Sequence, residues 1–102
     1  MVSMSTIEEF AKKVGETFGP EKIILFGSHA YGTPHEDSDV DLLLIYADDK
    51  MPKERPLVRS TLKPDFPCDI LFRTASQIKE RLRLRDFFIE EILDKGRVLY
   101  DA

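Results

Sequence analysis

Apolar residues recur at helical intervals near the start of the chain. Ile7, Phe10, Ala11, Val14 and Phe18 mark one stripe, and Gly19-Pro20 ends it. Ser5 with Glu8 three residues on has capping-box spacing, so the pattern predicts a helix over 5–18, buried along one face. Lys22 to Phe26 (KIILF) is a short β-branched and aromatic run ending at Gly27, which predicts a strand running into a tight turn. Residues 27–38 read as loop. Val40 to Tyr46 is apolar on both faces, the pattern of a central strand covered from both sides.

Pro52, Pro56 and Pro64 bracket an amphipathic stretch, Glu54 to Leu62, which predicts a helix of about two turns. Phe66 to Phe72 reads as a third strand. A strand, helix, strand connection of this length makes a parallel, right-handed unit, so strands two and three are expected to start at the same edge. Thr74 with Gln77 caps a last helix, with Ile78, Leu82, Ile89, Ile92 and Leu93 on its buried face and Gly96 at its end. Val98 to Tyr100 adds a short edge strand. The fold class is therefore α/β: a small mixed β-sheet with helices packed on it, its strand order left open.

At 102 residues the chain is expected to form a single domain over 1–102, which implies that a large ligand is shared with another chain. Apolar residues at 42% supply a core and argue against disorder. A formal net charge of −4 argues against broad binding to a phosphate backbone, so nucleic acid is not an expected partner. The lone Cys68 forms no internal disulfide and the N-terminus lacks an apolar leader, which together suggest a reducing, cytoplasmic setting. The longest apolar run, Leu42 to Ala47, is far short of the roughly 18 residues of a spanning helix, so no membrane is expected.

The informative stretch is Gly27-Ser28, ten residues, then Asp39-Val40-Asp41. Side chains alternate along a strand, so Asp39 and Asp41 project from one face with Cα atoms about 6.6 Å apart. At an effective dielectric near 20, two charges some 6 Å apart repel by about 3 kcal/mol, which calls for a cation. No Lys or Arg lies between Gly27 and Asp48, whereas a divalent ion would meet the oxygen ligands it prefers. Asp69, early in the third strand, adds a third carboxylate at the same sheet edge. Asp65 is its nearby rival, but the alternating apolar partner Leu71 favours Asp69. Three carboxylates can hold two Mg²⁺ ions about 3.5 to 4 Å apart, the arrangement for phosphoryl-type transfer. Gly27 permits close backbone approach, and N–H groups of the following turn can hold a phosphate, with the Ser28 hydroxyl beside them.

With these residues in place, the segment GSHAYGTPHEDSDVDLLLI and the later PCDILF resemble the minimal nucleotidyltransferases of the DNA polymerase beta superfamily, over nearly the whole chain. The resemblance implies a polymerase beta-like palm fold. It implies transfer of a nucleoside monophosphate from a nucleoside triphosphate, AMP from ATP, to an acceptor hydroxyl, with two Mg²⁺ ions bound by Asp39, Asp41 and Asp69. By the same resemblance Gly27 and Ser28 hold the β- and γ-phosphates, and Asp69 helps activate the acceptor. Chains of this size are similar to the antitoxin of HEPN/MNT toxin-antitoxin pairs, so the implied acceptor is a tyrosine of a HEPN partner. Where the family often has Arg, as in GSxARG, this chain has Tyr31, which removes a triphosphate-binding cation. The alternative is accordingly an antitoxin with weak catalysis that neutralises its partner by binding alone.

Other features have plainer readings. His29 and His35 lack a paired spacing and suit solvated loop positions, as do Glu36 and Asp37. Cys68 reads as a small buried hydrophobe. Lys79, Arg81, Arg83 and Arg85 spread around a helix as solvated surface. Leu84, Phe87 and Phe88 fit either extra core or an interface, a homo-oligomer included.

Overall fold

The structure, a computed structural model, describes residues 1–54 and 57–102. Its elements are α1 (Met4–Phe18), β1 (Lys22–Phe26), α2 (Ser28–Tyr31), β2 (Val40–Tyr46), α3 (Leu57–Leu62), β3 (Cys68–Thr74), α4 (Ala75–Arg83), α5 (Phe87–Lys95) and β4 (Arg97–Asp101). The strands make one mixed sheet in the order β3-β2-β1-β4. β1 pairs antiparallel with β2 and β4, and β2 pairs parallel with β3. The crossover expected between the second and third strands is present, and β2 is an interior strand.

Alternation divides the sheet between two cores. Ile23, Leu25, Val40, Leu42, Leu44, Tyr46, Cys68 and Phe72 pack with Ile7, Phe10, Ala11 and Val14 of α1 and Val58 of α3. On the opposite face Ile24, Phe26 and Leu43 meet Ile78 of α4 and Ile89 and Ile92 of α5. β2 therefore buries both faces. Asp41 departs from that apolar pattern, lying half-buried at the start of the strand.

Several element ends differ from the sequence reading, each for a local reason. The α1 cap is Ser3, not Ser5: the Ser3 Oγ accepts from the Thr6 N–H at 3.2 Å and starts the helix at Met4. Within the expected 27–38 loop, Gly27 caps the short helix α2. The described part of the expected Glu54–Leu62 helix begins at Leu57, and residues 55 and 56, Pro56 among them, lie outside the described residues. β3 runs two residues later than Phe66–Phe72. Pro67 precedes it, and Phe66 spends its apolar surface on α1, edge-on to Phe10 with ring centroids 5.4 Å apart.

The long last helix is two helices. The Thr74/Gln77 capping box is present, with Gln77 N–H on the Thr74 Oγ1 and Thr74 N–H on the Gln77 Oε1. The chain then breaks at Arg85, whose φ of 59° is left-handed, and Asp86 caps α5 by accepting from Phe88 and Ile89 N–H. The break turns Leu93 outward to 38% exposure, against its expected place in the core. Gly96 ends α5, and β4 occupies the sheet edge expected for Val98–Tyr100 with one further residue at each end. Among the described residues no helix is long and apolar enough to cross a membrane.

Candidate active site

Sheet register gathers the chemistry at one end of the sheet. Phe26, the last residue of β1, is the Cα partner of Asp41, and Asp41 is the Cα partner of Asp69. Adjacent strands lie about 4.8 Å apart, so Asp41 and Asp69 stand side by side. Both belong to the face that carries Leu43 and Leu71, where α4 and α5 pack. Asp39 immediately precedes β2.

Gly27 comes into contact with this group from the other side. Its φ is 77°, which strains any side chain, and a Cβ there would have to displace the Asp41 carboxylate. The Gly27 carbonyl accepts from the N–H groups of Ala30 and Tyr31, closing the single turn of α2. The N–H groups of Ser28 and His29 then open that turn, where a helix has no internal acceptor for them. His29 is not the free loop residue expected from sequence: it is half-buried, and its Nε2 lies 3.2 Å from the Ser38 carbonyl oxygen, tying α2 to the segment leading into Asp39. His35 is exposed, as expected.

The electrostatics follow from this crowding. Burial pushes the Asp41 carboxyl above its ordinary value of 3.8, and the charges of Asp69 and Asp39 push it further, while His29 partly opposes them. None of the ion pairs among the described residues involves Asp39, Asp41 or Asp69. The donor set is thus three carboxylates whose repulsion no ion pair among the described residues relieves, which suits a hard divalent cation. As the side chains stand, no three His, Cys, Asp or Glu groups among the described residues are drawn into a ligand cluster. Asp39 and Asp69 are exposed at the surface, and Asp41 is half-buried.

The carboxylates Asp41 and Asp69 line an open cleft of about 970 Å³. Its walls also include Phe88, edge-on to Phe26 with ring centroids 5.6 Å apart, and the cations Arg59, Lys63 and Arg73. None of the three was a candidate in the sequence reading: Arg59 lay within the expected Glu54–Leu62 helix, and Lys63 and Arg73 lay just past the expected helix and third strand.

A family model for the nucleotidyltransferase domain matches residues 7–101. The chain belongs to that family. Two proteins of Methanocaldococcus jannaschii that carry the name protein adenylyltransferase are similar to it. MJ1305 is 37% identical over 93% of this chain and 69% of its own length, and MJ0141 is 29% identical over 94% and 97%. Among solved structures, a toxin-antitoxin with AMP-PNP superposes with a TM-score of 0.63 at 24% identity, covering 93% of this chain and 73% of that one. A mutant of the toxin-antitoxin MntA-HpeT with aspartate-to-glutamate substitutions gives 0.58 at 21%, with the same coverage. The mixed sheet with helices on both faces is the fold these neighbours share, and the protein is a nucleotidyltransferase.

Two further groups of this nucleotidyltransferase have their surroundings fixed by packing. Cys68 is buried in the α1 core and its thiol is pushed up to about 12, mainly by desolvation, which leaves it unreactive. Tyr31, at the position where the family often has Arg, packs beside Ile24, Phe26 and Leu43, and its hydroxyl meets Glu91.

Proposed function

We propose that this nucleotidyltransferase moves AMP from ATP onto a hydroxyl of a protein partner, a tyrosine of a HEPN toxin, and so acts as its antitoxin. The reading treats residues 1–102 as one nucleotidyltransferase domain working in the cytoplasm. The observation that carries it is the register that sets Asp41 against Asp69, with Asp39 next to β2 and Gly27 pressed on the Asp41 carboxylate. The names of the M. jannaschii relatives support protein as the acceptor class, and the AMP-PNP of a structural neighbour supports an adenine nucleotide.

Asp39, Asp41 and Asp69 would hold two Mg²⁺ ions, whose chemistry when bound is to lower the acceptor hydroxyl's pKa and to offset charge on the pyrophosphate. The chain's own groups position the reactants. The Ser28 and His29 N–H groups and the Ser28 hydroxyl hold the β- and γ-phosphates, and Gly27 leaves room for them beside Asp41. Asp69, exposed at the outer strand, meets the acceptor and takes its proton. The acceptor oxygen bonds to the α-phosphorus, the bond to the bridging oxygen breaks, and pyrophosphate leaves in line.

Co-expression with the partner, followed by intact-mass spectrometry, tests the assignment. The partner is expected to gain the mass of one AMP with the parent chain and none with Asp39→Asn, and full modification by the variant overturns the reading. Tyr31 favours a second reading, neutralisation by binding alone. In that case the Asp39→Asn/Asp41→Asn double variant neutralises the toxin as well as the parent does.

A further inference from the structure

β3 is the outermost strand of the sheet, and one edge of it has no neighbouring strand among the described residues. The Val40 N–H donates to the Pro67 carbonyl at 2.9 Å. In a parallel ladder the backbone groups alternate from that point, so those of Asp69 and Leu71 point toward β2 and those of Cys68 and Ile70 point to the free edge. Farther along, Arg73 folds back so that its guanidinium donates to the Phe72 carbonyl at 2.7 Å. That contact closes the edge beyond Ile70. What stays open is a short stretch beside Asp69.

The cleft wraps around this stretch. Asp69, Ile70, Leu71, Phe72 and Arg73 all line it, with Arg59 and Lys63 beyond them. These cations lack the carboxylate partner that the other described arginines have. Arg81, Arg83, Arg85 and Arg97 each hold a carboxylate, whereas the two remaining described arginines, Arg59 and Arg73, have no acidic partner among the described residues and both line the cleft.

We infer that the free edge of β3 receives the acceptor: a short, extended, acidic segment of the partner polypeptide pairs with the backbone at Ile70, its carboxylates at Arg59 and Lys63, and presents its hydroxyl to Asp69. The inference rests on the proposed adenylyl transfer. Phosphates held at Gly27 and Ser28 lie about two strand spacings, roughly 10 Å, from β3. An in-line displacement places the attacking oxygen opposite the leaving one, so an acceptor enters from the β3 side. Main-chain pairing supplies affinity there, and the cations select acidic flanks.

Fluorescence anisotropy of the full chain, with Mg²⁺ and a non-hydrolysable ATP analogue, tests this with two short labelled peptides. One carries a tyrosine between glutamates, the other a tyrosine between lysines. The acidic peptide is expected to bind at least about tenfold tighter, and Arg59→Glu with Lys63→Glu to abolish the preference while the affinity for the ATP analogue is unchanged. Both sites are exposed, and the milder Arg59→Ala with Lys63→Ala serves if the reversal fails to fold. N-methylation of alternate peptide bonds is expected to weaken the acidic peptide about tenfold, because strand pairing needs those N–H groups. Equal binding of the two peptides, or indifference to N-methylation, overturns the inference. A loss of ATP-analogue affinity on charge reversal overturns it too, assigning these cations to the nucleotide. If the parent fails to bind the ATP analogue at all, adenylyl transfer fails, and the peptide comparison without nucleotide still decides the docking edge.

Discussion

Asp41→Asn in the metal-free protein is expected to raise stability while ending transfer. Asp41 and Asp69 are cross-strand neighbours, and two charges at the strand spacing of about 5 Å repel by about 3 kcal/mol at an effective dielectric of 20 and by about 1 kcal/mol with full solvent screening. Both groups reach water, so the lower figure applies. For a domain of this size 1 kcal/mol moves the unfolding midpoint by about 4 to 8 °C. The pH dependence fixes the sign. A carboxyl raised above its ordinary value of 3.8 favours the folded state only while protonated, so its contribution is complete below that value and lost as pH rises through the raised one. The asparagine variant therefore unfolds at least about 4 °C above the parent at pH 7 in chelator, and the gap closes as pH falls below 3.8. Mg²⁺ with ATP narrows it from the other side by stabilising the parent preferentially. Thermal melts followed by circular dichroism read all three conditions. A variant no more stable than the parent at pH 7, or a gap that persists in acid, refutes the electrostatic account.

Three other substitutions probe separate features. Gly27→Ala forces a side chain into a left-handed position against the Asp41 carboxylate, so it is expected to cost about 1 to 3 kcal/mol in denaturant titration and to depress transfer. Tyr46 is fully buried, its hydroxyl has no partner among the described residues, and burial pushes its pKa up to about 12. Tyr46→Phe removes that orphan and keeps the ring stacked 6.3 Å from Phe72, so stability measured by urea unfolding should rise by about 1 kcal/mol. Asp86 is held below its ordinary value by Arg81 and by the N–H groups of Ile89 and Phe88, so its support is present at neutral pH and lost as pH falls through that lowered value. Asp86→Ala accordingly lowers the midpoint at pH 7, with a difference that shrinks in acid.

Legibility tracked how locally each feature was encoded. β1 and β2 appear where KIILF and VDLLLIY place them, because each run is bounded by residues that end a strand or start one. The boundaries that moved depended on tertiary choices. Two serines compete to cap α1, and Phe66 is apolar enough for β3 but is drawn to Phe10 instead. The α4 to α5 break had a signal in Asp86, whose side chain caps the second helix, but the apolar spacing of Ile78, Leu82, Ile89 and Ile92 runs through it. At the site, the aspartate spacing was readable because strand alternation and one crossover suffice to bring Asp41 and Asp69 together. The approach of Arg59 and Lys63 to the cleft was not, since it depends on how α3 packs, with its Val58 in the core shared with α1.

Metal stoichiometry bears most directly on the claim that aspartates from two neighbouring strands grip paired cations. Titration of the full chain with Mn²⁺, followed by electron paramagnetic resonance in the presence of a non-hydrolysable ATP analogue, should show two bound ions. Binding should weaken in Asp69→Asn and vanish in Asp39→Asn with Asp41→Asn. No bound ion in the parent, or the same isotherm in all three proteins, would contradict it.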